Sequence, residues 1–226
     1  MCQGRLSNVA WITIEGINGV GKTCLARAAA EELGSTCHLI GELTDLPSSG
    51  LPGRVVKALA SGGGTFLRGG YPAAETLALL ALKIQAYEHA CTSTMHTARV
   101  VMEDRGVDTV ALYQAAILTS MAVSLTQALA VADQIYATAA RWRPPPDRTV
   151  LIVDDLTTCL SRYEERTGSC LSAEDRALLA RIDSLYRAQA ARDPGRFVAI
   201  DRRDHDWPGV VQQLVRVCQE TAQDVP

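Results

Sequence analysis

The eight residues GINGVGKT, Gly16–Thr23, constrain this chain more than any other feature. They match G-x-x-x-x-G-K-[ST], and the flanking segments are the ones such a loop requires. Ahead of it, VAWITIEG (Val9–Gly16) reads as a buried strand; behind it, TCLARAAAEELG (Thr23–Gly34) reads as a helix stopped by glycine. A strand, a glycine turn and a helix aim successive backbone amides into one concavity at the positive end of the helix, which is an anion site suited to phosphates. Lys22 adds a full positive charge for the β and γ phosphates of a triphosphate, and Thr23 a hydroxyl for Mg2+. Gly16, Asn18, Gly19, Val20, Gly21, Lys22, Thr23 and Cys24 are therefore the candidate nucleotide-binding residues. With only three lysines in the chain (Lys22, Lys57, Lys83), a glycine turn that holds one by coincidence is the weaker reading.

The remaining sequence alternates strands and helices. Strands are predicted at Cys37–Leu43, Arg99–Arg105, Arg148–Asp155 and Gly195–Asp201, with helices over about 55–60, 73–97 and 108–141. The segment RPPPD breaks the last helix, because consecutive prolines remove backbone donors and enforce extended geometry. SGGGTFLRGGYP reads as a loop and the most flexible stretch of the chain. Strands separated by helices of this length predict a single α/β domain over residues 1–226, with a five-stranded, mostly parallel sheet covered on both faces and a P-loop NTPase fold.

Composition removes several classes of function. A net charge of −3 and a pI near 5.8 argue against a general nucleic-acid binder. The longest apolar runs fall short of the roughly 18 residues a membrane span needs, and the N-terminal residues do not read as a signal peptide. The seven cysteines lie apart without zinc spacing, as expected of thiols in a reducing cytoplasm. The histidines, His38, His89, His96 and His205, show no metal-ligand spacing either.

A phosphate loop does not define a reaction, since switches, motors and kinases share it. No lysine here is followed two residues later by aspartate, so the N-K-x-D guanine reader of GTPase switches is missing. In parallel sheets ligands gather beyond the carboxyl ends of the strands, so Asp104 and Arg105, at the end of VVMEDR, are expected to face the phosphates.

The segments ITIEGINGVGKTCLARAAAEEL, AAETLALLALKIQAYEH, EDRGVDTVALYQ, PPPDRTVLIVDD and SLYRAQAARDPGRFVAID, which together span most of the chain, resemble the thymidylate kinases. The resemblance implies a nucleoside-monophosphate-kinase-like fold with a lid at about 160–175, ATP and Mg2+ as cofactors, a small-molecule acceptor, and a homodimer packed through helices. Carried over by position, Lys22 and Thr23 take the phosphate and metal roles, Asp104 approaches the metal, and Arg105 contacts the acceptor phosphate. Arg162 and Arg166 match the start of the lid, where an arginine closes over the transferring group; an exposed helix face paired with Glu164 or Glu165 is the alternative. Arg54, Lys83, Tyr113 and Gln114 join Asn18, Glu42 and Arg105 as candidate acceptor contacts. For Arg105 the competing reading is a structural salt bridge, and for Tyr113 it is core packing.

The departures from that family all lie on the acceptor side. Asn18 stands where an acidic residue is usual, and GEL replaces Arg-Glu-Pro while keeping Glu42. Lys83 replaces an arginine that reads the thymine ring, Gly106 an aromatic residue, and Val110 a small polar one. Two acceptors thus stay open. An acceptor phosphate is already ionised and needs Arg105, whereas a nucleoside or small-molecule hydroxyl needs a base, for which Glu42 is the candidate. A nucleotide-binding protein without catalysis is the third possibility.

Overall fold

The computed structural model describes residues 8–45, 47, 49–61, 66, 68–92 and 98–225. Five strands, β1 (Ala10–Glu15), β2 (Cys37–Ile40), β3 (Val100–Asp104), β4 (Arg148–Val153) and β5 (Phe197–Asp201), form one sheet in the order β2-β3-β1-β4-β5. Every pairing is parallel, with Ile14 beside Asp104 and Glu15 beside Leu151. After β1 the chain runs to the β2 edge, returns to place β3 beside β1, and then crosses to β4 and β5 on the other side; this reversal opens a crevice at the carboxyl ends of β1 and β3, the place where such sheets bind ligands.

Among the described residues eight helices surround the sheet: α1 (Lys22–Leu33), α2 (Leu51–Ala60), α3 (Pro72–Thr92), α4 (Val107–Leu118), α5 (Leu125–Ala139), α6 (Leu156–Thr167), α7 (Ala173–Arg192) and α8 (Trp207–Asp224). Because side chains alternate along a strand, β1 serves two different layers. Ile12 and Ile14 are fully buried within the apolar core, to which α1 and α8 contribute Leu25, Ala29 and Leu214. On the opposite face Trp11, Thr13 and Glu15 are also buried; Trp11 packs on the Tyr87 ring of α3, and Glu15 accepts from Thr109 of α4 and Tyr186 of α7. This second interface carries a layer of hydrogen bonds inside the core, and the site is built on it.

Several boundaries differ from the sequence reading. β2 ends at Ile40, and Glu42 precedes a 3-10 turn at Leu43–Asp45 closed by Asp45 N donating to Glu42 O. α2 begins four residues earlier than the periodicity predicts, because Pro52 sits in the first turn, where its missing N–H has no intrahelical partner to lose. The long helical stretch from 108 to 141 is two helices. Ser124 caps the second through a capping box with Gln127, which stops the first from running on. α3 is described to Thr92; the expected continuation through 97, His96, and residues 62–65 and 67 of the glycine loop lie outside the described residues. α8 was not anticipated, although Asp206 caps it and Val210, Val211, Leu214, Val215 and Cys218 form its buried stripe. Among the described residues, no helix is long and apolar enough to cross a membrane, and no group of His, Cys, Asp or Glu is arranged to hold a metal ion on its own.

Candidate active site

Adjacent β1 and β3 deliver two segments to one point: the loop at 16–21, and Asp104 with Arg105. The loop's glycines are set by contact as well as by backbone angle. A Cβ on Gly16 (φ 136°) would lie 2.5 Å from Ile152 O, and one on Gly19 (φ 83°) 1.9 Å from Cys159 O. Arg202, just past β5, donates to Val20 O at 2.8 Å and so fixes the loop from behind, a role the sequence reading did not foresee. Lys22 is buried, and its ammonium folds back to donate to Ile17 O at 2.8 Å. Burial, and then the neighbouring Arg105 charge, push its pKa down to about 7. Anionic phosphates in the loop would reverse that shift by giving the ammonium a counter-charge.

Thr23 Oγ1 donates to Asp104 Oδ2 at 2.6 Å, while Asp104 Oδ1 is buried and has no hydrogen-bond partner. A carboxylate oxygen left unpaired beside a hydroxyl, in the mouth of a phosphate loop, fits the oxygen donor set of a Mg2+ ion that keeps most of its waters.

Arg105 holds the other side of the crevice. Its backbone lies in the left-handed region, φ 63°. Its guanidinium pairs with Glu42 Oε1 at 2.9 Å, donates to Asn18 Oδ1 at 3.1 Å, and sits 5.6 Å from the centre of the Tyr113 ring. Tyr113 also donates its hydroxyl to Asn18 Oδ1, so the amide stands between two donors. Burial alone would raise the Glu42 carboxyl, but the Arg105 guanidinium and the Lys22 ammonium hold it below the usual carboxylate range. Beside these groups opens a cavity of ≈ 650 Å3, lined by Asn18, Thr23, Cys24, Glu42, Arg105 and Tyr113 and by the facing wall of α3 and α4. Phe66 packs on Tyr163 with ring centres 5.7 Å apart and lies on the cavity wall, whereas Tyr71 is 77% exposed.

The remaining candidates separate. Lys83 lines the cavity, but its ammonium points inward, paired with Glu103 Oε1 at 3.2 Å and donating to the Arg105 carbonyl. Glu103 also accepts from Arg143 at 3.0 Å and from Trp11 Nε1 at 3.0 Å, forming a buried cluster under the site. Arg54 is exposed on α2, away from the cavity lining. Arg162 pairs with Asp154 at 2.6 Å, outside the cavity lining, while Arg166 lines the cavity with its guanidinium 5.5 Å from the Tyr163 ring. Neither pairs with Glu164, which takes Arg176 at 2.5 Å. Gln114 lines the cavity from α4.

Sequence reasoning passed over Glu15. Fully buried, it accepts from Gly106 N at 2.6 Å, Thr109 Oγ1 at 2.5 Å and Tyr186 OH at 2.8 Å. Burial and the nearby Asp108 carboxylate push its pKa up to about 7. A charged residue inside the first apolar run was the signal available in the sequence.

Comparison with known proteins bears on the fold and the family. No family model matches the chain. A thymidylate kinase of Cereibacter sphaeroides is 29% identical over 197 residues, covering 84% of this chain and 86% of that protein. The thymidylate kinase of Alcanivorax borkumensis is 27% identical over 222 residues, covering 96% and 91%. In three dimensions, thymidylate kinase from Ehrlichia chaffeensis superposes over 92% of this chain and 98% of its own at a TM-score of 0.64, with 19% identity, so what it shares is the fold. Similarity over most of the chain and a common fold support a thymidylate kinase-like family.

Proposed function

We propose that the protein is an ATP- and Mg2+-dependent kinase that transfers the γ-phosphoryl group to the phosphate of a nucleoside monophosphate. The observation that carries this reading is the Glu42–Arg105 pair. Glu42 is held ionised by two cations and engaged at 2.9 Å, which makes it a weak proton acceptor. A hydroxyl acceptor depends on such a base. A phosphate acceptor needs no base; it needs a planar cation at the cavity wall, which Arg105 supplies.

In this reading the loop amides and Lys22 hold the donor phosphates, and Thr23 and Asp104 hold Mg2+, which supplies neutralisation of the phosphate charge. Arg105 and the Asn18 amide orient the acceptor phosphate. Arg166, which lines the cavity, closes over the transferring group in this reading, and Arg162 supports Asp154. A homodimer, implied by the sequence resemblance, and a cytoplasmic setting, read from the dispersed cysteines, belong to the same proposal.

The test is an acceptor screen with ATP over nucleoside monophosphates, nucleosides and sugars, followed by two variants. Arg105→Lys is expected to lower kcat/KM for the best acceptor by on the order of 10²-fold, because an ammonium cannot make a two-pronged phosphate contact. Glu42→Gln is expected to cost less than about tenfold, well under the 10²- to 10⁴-fold loss of a general base. The opposite pattern, together with turnover of a hydroxyl acceptor, overturns the assignment.

A further inference from the structure

A second cavity, of ≈ 480 Å3, opens where the end of α5, the prolines at 144–146 and the end of α7 meet. It shares no lining residue with the acceptor cavity: Val107 and Asp108 of α4 line this one, and Thr109, Val110, Tyr113 and Gln114 the other. Tyr136, three alanines of the α5 end and the prolines give it mainly apolar walls, at a size that holds a small organic molecule.

The charges in this lining are already spent on one another. Asp108 accepts from both terminal nitrogens of Arg196, at 2.8 and 3.0 Å, from the Tyr136 hydroxyl at 2.8 Å and from Thr149 Oγ1 at 3.0 Å. Among the described residues Arg196 is the one cation lining the cavity, and its remaining Nε donates to Asp193 Oδ2 at 2.8 Å. A phosphate or carboxylate would thus find no unspent cation, and would face the Asp193 carboxylate. The cavity suits an uncharged molecule.

Two polar groups are left over, one helical turn apart. Gln189 is only 7% exposed, and Arg192 Nη1 lies 3.4 Å from its Oε1. Because a guanidinium only donates, the oxygen faces Arg192 and the amide NH2 is the end left over. That NH2 has no hydrogen-bond partner among the described residues, and a buried donor so placed is costly until an acceptor reaches it. Four residues on, Asp193 donates its backbone N–H to Gln189 O at 3.1 Å, which continues the helical turn and sets the two Cβ atoms about 5–6 Å apart. Asp193 Oδ1 accepts from no described residue. Both side chains line the cavity, so a donor and an acceptor stand next to each other on its α7 side.

From this edge we infer that the cavity is a second small-molecule site, independent of the kinase reading, for an uncharged aromatic heterocycle that carries a lactam. The ring carbonyl accepts from Gln189 Nε2, the adjacent N–H donates to Asp193 Oδ1, and the flat apolar body lies against Tyr136 and the prolines. A lactam holds its oxygen and its N–H on neighbouring atoms that point the same way, which is the complement of the Gln189–Asp193 pair. A plain arene would fill the same space and leave the buried amide donor unpaired.

The probe is carbostyril, the lactam of quinoline, compared with quinoline, N-methylcarbostyril and quinaldate in NMR titrations of the whole protein. Carbostyril is expected to bind with a dissociation constant on the order of 10⁻³ M or tighter, the scale for a fragment of its size. Quinoline, which lacks the carbonyl, and N-methylcarbostyril, which lacks the N–H, should each bind roughly tenfold more weakly, one hydrogen bond being left unmade. Quinaldate, an anion, should not bind. Gln189→Glu keeps an acceptor for Arg192 and removes the NH2, so it should weaken carbostyril roughly tenfold and leave quinoline unchanged. Ala137→Phe, which fills the cavity from α5, should weaken both, and urea unfolding with an unchanged m shows that each variant is folded. Absence of carbostyril binding to the wild-type protein overturns the inference, as does binding no tighter than that of quinoline or N-methylcarbostyril. A preference for the lactam that survives Gln189→Glu, or binding untouched by Ala137→Phe, overturns it equally.

Discussion

Gly106 is the position at which the site's departures from its relatives can be weighed in energy. Its φ of −84° is ordinary for any residue, so alanine meets no backbone penalty there. The obstacle is contact: an added Cβ would lie 2.4 Å from Thr13 Cγ2, 3.0 Å from Thr13 Cβ and 3.3 Å from Glu15 Oε1. Non-bonded carbons settle at about 3.5–4.0 Å, so the first contact overlaps by more than 1 Å in a layer where Thr13 and Glu15 are wholly buried. Gly106→Ala should therefore destabilise the protein by about 1–3 kcal/mol, the range for overpacking a core. It should also stretch the 2.6 Å bond from Gly106 N to Glu15.

Thr13→Ser provides the matching relief. It removes Cγ2 alone and keeps the hydroxyl that meets Thr149 Oγ1 at 3.1 Å; by itself it should cost about 0.8 kcal/mol for the lost methyl group. The double variant should be more stable than the sum of the singles by about 1–2 kcal/mol, measured by urea unfolding with m unchanged. A Gly106→Ala variant within about 0.5 kcal/mol of wild type, or a double variant that is simply additive, would refute the contact argument. An aromatic residue at 106 starts from the same Cβ, so restoring the one usual in thymidylate kinases should also demand a smaller residue at 13.

Two further expectations concern protons. Lys22, with its pKa pushed down to about 7, is mostly neutral at pH 8, and donor phosphates require its ammonium. ATP binding at pH 8 should thus take up close to one proton. Calorimetry in buffers of different ionisation enthalpy reads this uptake, and Lys22→Met should abolish it; a heat independent of buffer in wild type would sink the idea. Glu15 has a folded pKa of about 7 against 4.5 for the free group, so the folded state binds the extra proton and stability falls as pH rises from about 4.5 to 7. Glu15→Gln should flatten that part of the curve in urea titrations, and an unchanged slope would show that another group carries it.

The parts of the site that were legible in the sequence are those whose meaning is local. The phosphate loop announces itself because glycine, lysine and threonine at fixed spacing are needed whatever surrounds them, and the five apolar runs form strands regardless of order, although β2 is only half-buried. Lys83 shows where local reading fails. Its place on α3 is readable, but which way its ammonium turns depends on Glu103, in a strand that reads as apolar, and on Arg143, beyond two further helices. Glu42 was readable as an acid at the end of the second strand; its pairing to Arg105 needed β2 and β3 to be neighbours. The helix at Trp207–Asp224 is also local in its signals, with a capping aspartate, a proline in its first turn and an apolar stripe.

The same dependence on distant partners explains why Arg105 stands as it does. A left-handed backbone at a residue with a side chain costs roughly 1–2 kcal/mol, and such strain persists only where the surroundings fix it from several sides. Here the amide donates to Ile14 O at 3.1 Å, the carbonyl takes the Lys83 ammonium, and the guanidinium is shared between Glu42 and Asn18. Lys83 is in turn held by a glutamate that Arg143 and Trp11 keep ionised in the interior. The buried cluster thus does for the backbone of Arg105 what the cavity groups do for its side chain. Lysine at position 83 is therefore not a weakened version of a ring-reading arginine. Its short ammonium reaches the carbonyl beneath the strained turn, and the cation that leaves the cavity wall is reused to hold the one that remains.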